Sequence, residues 1–205
     1  MRAGMVMAVA ILMSGDARAA CAPEQMLKVV VPKSFAAQPK TVYRLGTKYG
    51  RVEEVPDRAQ RIHGLMVVSE PDVWMMNLMS KTGQHVVDTG TPYHFHAPVL
   101  AGPDDPDFLR AFEFGCELDY LKKKSSEPPK PFDLNGRSLK AHMASEGDYM
   151  LVLVIDPDTQ IPVVAMLYES GKIAVYFKYL VYETGLKPDL GLFSPPAGMK
   201  FTEAK

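Results

Sequence analysis

The chain has 205 residues, 47% of them hydrophobic and 23% charged, with a formal net charge of -1. This balance excludes a disordered chain, and the missing basic surplus excludes a general binder of nucleic-acid phosphates. The length suits one domain with a sizeable core.

Residues 1–19 read as a secretory signal. Arg2 supplies the positive start, Ala3 to Met13 is apolar and uncharged, and Ala17-Arg18-Ala19 is a small-x-small cleavage site. About a dozen apolar residues are too few to span a bilayer. Cys21 also raises lipidation after cleavage. That site favours an apolar residue three positions earlier, where Arg18 stands, so cleavage after Ala19 is the expectation. The mature chain is then periplasmic, with residues 20–205 as one domain. Losing Arg2, Asp16 and Arg18 leaves it slightly acidic. Cys21 and Cys116 are the only cysteines. In an oxidising compartment such a pair is most simply a disulfide, the alternative being two free thiols. There is no C-x-x-C, so a thioredoxin-like role has no support.

Residues 22–39, interrupted by Pro23, Pro32 and Pro39, read as irregular. Short apolar runs punctuated by Gly, Pro and Asp then predict an antiparallel meander. A first strand opens at 41–45 and continues towards Val55. Others follow at 62–69, 72–79, 83–88 and 93–96. In an insert at about 98–131, Asp105 and Pro106 start a helix. Phe108, Phe112, Cys116 and Tyr120 recur every four residues, which predicts one main helix over 105–124. Lys122-Lys123-Lys124 suits its C-terminal end. Strands resume at 138–143, 149–155, 161–168 and 172–182. The fold class is therefore α+β, a strongly curved antiparallel sheet with helical cover.

A sheet with one wet face alternates apolar and polar residues. Here Val73 to Met79 is apolar on both faces except at Asn77, and Tyr149 to Ile155 is apolar throughout. Such a sheet is covered on both sides, or it lines an apolar cavity. Nine methionines from Met26 to Met199 fit either a core or a surface for irregular apolar ligands. If a cavity exists, Trp74, Met76 and Leu78 on one strand and Val175, Phe177 and Tyr179 on another are its expected lining.

Signatures of catalysis are missing from the sequence. There is no G-x-S-x-G, no phosphate loop, no H-E-x-x-H and no G-x-G-x-x-G. His94 and His96 share a side of a predicted strand, with His85 as a third candidate, but metal sites need three or four ligands. Asp156 and Asp158 read as a β-turn rather than a calcium loop, and Asp104, Asp105 and Asp107 as helix-cap residues. No enzyme activity, cofactor or metal is expected.

One pattern is familiar. Ile155-Asp156-Pro157-Asp158-Thr159-Gln160-Ile161-Pro162 resembles the strand-turn-strand of the LolA-like lipoprotein-carrier superfamily. Leu192-Phe193-Ser194-Pro195-Pro196-Ala197-Gly198-Met199 resembles that group's terminal Phe-x-Pro-Pro-x-Gly segment, and Lys172 to Tyr182 its long penultimate strand. The resemblance implies an unclosed β-barrel whose apolar concave face, plugged by helices, buries acyl chains of a lipid or lipidated protein, with transient membrane association. It departs from the pattern in the proline-broken segment before the first strand, the cysteine pair and the insert. A divergent lipid-binding relative is the expectation. The alternatives are an envelope sensor or assembly module that holds a protein partner and, further off, a metal enzyme built on His94 and His96.

Overall fold

The computed structural model describes residues 21–32, 39–88, 95–102 and 105–203. The expected signal lies outside them.

The proline-rich start contains a strand that the composition hides. Met26-Leu27-Lys28-Val29-Val30-Val31 forms β1 (Met26–Val31), which ends before Pro32. Pro23 and Pro32 bracket this β-branched run instead of breaking it. The expected strand from 41 towards Val55 is a hairpin of β2 (Lys40–Leu45) and β3 (Tyr49–Glu54), turned at Gly46 with φ 58°. The meander continues through β4 (Gly64–Ser69), β5 (Asp72–Asn77) and β6 (Thr82–Val87). Residues 93 and 94 are outside the described residues, and Phe95 and His96 belong to no strand.

The insert holds two short helices, α1 (Asp107–Arg110) and α2 (Glu117–Lys124), in place of one long helix. Between them the chain extends. Val99 N donates to Phe112 O and Phe114 N donates to Ala97 O, and Pro98 bridges Glu113. Gly115, at φ 93°, turns the chain into α2, and a Cβ there would strike Leu27 and Pro23. Phe108, Phe112 and Tyr120 do face one way, because all three join one apolar core. The four-residue period thus reported a shared core and misreported the backbone.

After the insert come β7 (Lys130–Leu134), β8 (Arg137–Glu146), β9 (Tyr149–Ile155), β10 (Pro162–Glu169), β11 (Lys172–Lys178) and β12 (Val181–Leu186). A 3-10 turn (Leu190–Phe193) and β13 (Lys200–Glu203) end the described chain. Two curved sheets result, in the orders β12-β1-β2-β3-β4-β5-β6-β13 and β11-β10-β9-β8-β7. All pairings are antiparallel except that of β13 with β6. The sheets do not close into a barrel, and strands outweigh helices, so helical cover is a minor part of the architecture.

The two sheets meet where β11 runs into β12. Tyr179 N donates to Val163 O on β10, and Leu180 N donates to Val30 O on β1. Successive amides of an extended strand point to opposite edges. The stretch 172–186 therefore has β10 on one edge of its first half and β1 on the other edge of its second half.

Every second residue of β9 serves a different core. Leu151, Leu153 and Ile155 pack inward with the insert, whereas Val152 and Val154 pack on the opposite face with Leu139, Val164 and Met166. That is why this strand is apolar throughout. A third cluster, Met26, Leu65, Val67 and Met76, lies under Phe193 of the 3-10 turn. Burying one such side chain stabilises by about 1.5–3 kcal/mol.

Gly50 of β3 lies against the Phe95 ring so closely that an added Cβ would overlap it. Gly50→Ala is expected to lower stability by about 1–3 kcal/mol through overpacking. Urea unfolding measures this, and an unchanged midpoint would contradict the packing.

Candidate functional site

The concave side between the sheets is the expected ligand site. Among the described residues it is occupied by the insert, whose Phe108, Phe112, Phe114 and Leu121 are buried there together with Phe95 just before it. Three features hold the insert in place.

The first is Arg44. Val42 and Arg44 of β2 point to the same side, and both are buried. The Arg44 side chain, 1% exposed, donates through Nη1 to Glu113 Oε2 at 2.7 Å and to Phe114 O at 3.1 Å. Its Nη2 donates to Cys21 O at 2.7 Å and to Phe95 O at 2.8 Å. The guanidinium lies 5.5 Å from the centre of the Phe95 ring, and Nε has no partner among the described residues. One side chain thus gathers the start of the described chain, Phe95 just before the insert, and the insert itself. Burial alone would raise the Glu113 pKa. The hydrogen bond with His96, at 2.7 Å, and the charge of Arg44 outweigh it and hold the carboxyl below its ordinary value.

The second is covalent. Cys21 and Cys116 are bonded, with Cα atoms 5.8 Å apart, just before α2 begins. The third is Glu117, the first residue of α2. Gly115 N and the Tyr182 hydroxyl each donate to Oε2 at 2.8 Å, and the Tyr179 hydroxyl donates to Oε1 at 3.3 Å. Glu117 therefore fastens α2 to the junction between the sheets. Its burial pushes the carboxyl up to about 7 against these hydrogen bonds, and burial raises both tyrosines well above their usual value.

The six expected lining residues fall into two groups. Val175, Phe177 and Tyr179 pack in the inner core. Trp74, Met76 and Leu78 pack on the opposite face of the eight-stranded sheet, in the cluster beneath Phe193. Asn77, the polar break in that run, accepts from His63 N at 3.1 Å and Met79 N at 3.0 Å and shapes a turn. His94 and Asp104 lie outside the described residues, and His96 is engaged by Glu113. Among the described residues no group of three His, Cys, Asp or Glu side chains converges on a metal position. Asp156 is a turn residue, accepting from Asp158 N and Thr159 N, both at 3.0 Å, and pairing with Arg137.

An open groove of about 350 Å³ lies at the sheet junction, between Arg137, Asp156, Pro162, Val163 and the run Tyr179–Tyr182. Leu180 beside it is 63% exposed. Volumes of this order accommodate small ligands or single side chains.

No family model matches the chain, and no curated protein matches it. Solved structures do. An uncharacterized conserved protein from Thermus thermophilus aligns at 13% identity and TM-score 0.52, over 88% of this chain and 91% of that one. This likeness is one of fold. A chain of the Pseudomonas aeruginosa MucA/MucB complex aligns at 14% identity and TM-score 0.44, over 85% of this chain and 57% of that one.

Glu117 dictates a pH dependence. Its ordinary value is 4.5 and its folded value about 7, so between them the folded state binds the extra proton. Its contribution is therefore full in acid and is lost as pH rises towards 7. The fall is about 3 kcal/mol by pH 8. Glu117→Gln is expected to flatten this slope in denaturation measured from about pH 5 to pH 8. An identical slope in the variant would contradict the assignment.

Proposed function

We propose that the protein is an exported, non-enzymatic binding module of LolA-like architecture that engages an envelope protein partner. The observation that carries this reading is the filled concave side. The chain's own insert takes the place where an acyl chain would lie, and a disulfide, Arg44 and Glu117 hold it there. Export rests on the signal-like residues 1–19 and is supported by the bonded cysteine pair, which suits an oxidising compartment. Among the described residues no helix is long and apolar enough to cross a membrane. The partner surface is the junction groove beside Leu180, where an apolar side chain is exposed next to backbone that has a strand on one edge only.

A second reading keeps the acyl-chain ligand. It is supported by the second core of the five-stranded sheet, where half-buried Met143 and Met150 flank buried Met166 and give adaptable apolar packing beyond the inner core. Under this reading the ligand is a lipid or a lipidated protein, bound by burial at about 0.8 kcal/mol per CH₂.

The readings separate in protein recovered from its own envelope and carrying a photo-crosslinker in place of Leu180. The expected result is one discrete crosslinked protein and a lipid-free chain in native mass spectrometry. Stoichiometric co-purifying lipid, uptake of a fluorescent fatty acid and no adduct would overturn the protein-partner reading in favour of the lipid one.

A further inference from the structure

The last strand of the eight-stranded sheet is fastened by one histidine. β13 has four residues and lies parallel to β6, with Lys200 opposite Thr82 and Glu203 opposite His85. Its side chains are exposed apart from Phe201, which is half-buried against the outer cluster. So short a strand, with so little apolar burial, depends on its remaining contacts.

His85 supplies the most specific of these. Its Nε2 lies 2.7 Å from Asp72 Oδ1 on β5, and its Nδ1 lies 3.1 Å from Glu203 Oε1 on β13. The ring stacks on Trp74 at 5.2 Å with an interplanar angle of 11°. Among the described residues, Asp72 and Glu203 are the charged groups that shift its titration. Lys81 and Lys200 stand at the other end of the β6–β13 ladder.

A neutral imidazole has one N–H, so it donates to one carboxylate and turns a lone pair towards the other. Only the imidazolium donates to both. The geometry points to a proton-controlled latch: protonated His85 holds the C-terminal strand β13 on the edge of β6, and loss of the proton weakens that hold. The two carboxylates raise the His85 pKa above its ordinary 6.5. The latch is therefore fully closed below pH 6.5 and loosens as pH rises through the raised value. Release uncovers the backbone edge of β6 from Thr82 to His85, which is the kind of edge an extended partner segment joins. The latch is independent of the Leu180 groove and of the partner reading above.

Trp74 is the only tryptophan in the chain, so its fluorescence reports the ring stacked on it. An imidazolium quenches indole more strongly than a neutral imidazole. Titration of the full chain is expected to show a midpoint above 6.5, and the protection of the Lys200–Glu203 amides, taken against the intrinsic exchange rate at each pH, should fall across that midpoint. Glu203→Gln replaces an exposed side chain, and its amide donates to a neutral ring. It is expected to lower the fluorescence midpoint and to abolish the pH dependence of the β13 protection factor, with β9 protection unchanged. An unshifted midpoint in Glu203→Gln, or a β13 protection factor that ignores pH in the natural chain, would overturn the latch.

Discussion

Arg44 is the residue on which the arrangement turns. A guanidinium that is 1% exposed has lost its water, and that loss is repaid only if its donors are met. Here one carboxylate and three carbonyls meet four of them, and these acceptors come from segments far apart in sequence. Removing one partner of such a buried pair costs about 3–5 kcal/mol, because the other charge is left uncompensated. The bond is therefore less a source of net stability than a condition. The insert, the start of the described chain and β2 take up their places together.

Around that condition the other contacts fall into order. The disulfide fixes the residue before α2, and Glu117 on the first turn reaches the two tyrosines where β11 gives way to β12. The insert is thus tied both to the middle of the eight-stranded sheet and to the junction of the two sheets. Its phenylalanines fill the space that the curvature of the sheets creates. The space between the sheets is closed by the chain's own residues. Under the proposed reading, binding falls to the outside, to the groove at the junction.

Much of this was legible in the sequence. The strands β4, β5, β6, β8, β9 and β10 stood out through β-branched and aromatic runs between turn residues. The continuous apolar character of β9 left open cover on both faces or a cavity, and the strand has an apolar cluster on each face. β1 was hidden because prolines at its ends looked like breaks within it. The long helix was wrongly expected because helical spacing and inward packing coincide for Phe108, Phe112 and Tyr120, and only the geometry around Gly115 separates them. Arg44 gave a faint signal as a charge in register with buried Val42 on an alternating strand. Glu117 gave none, since an acidic residue in a first helical turn is ordinary. Its burial depends on Tyr179 and Tyr182, which only the tertiary fold brings near. The division of the expected lining between two faces likewise depends on which sheet each strand joins, and periodicity does not report that.

The central claim is that the insert stays seated in the concave side. Hydrogen exchange of the hydrogen-bonded amides Phe95, Val99, Phe112 and Phe114, with and without added fatty acid, tests it most directly. The account predicts the same slow exchange in both conditions. Rapid exchange across that segment on fatty-acid uptake would contradict it, because the insert would then be a lid over a ligand cavity.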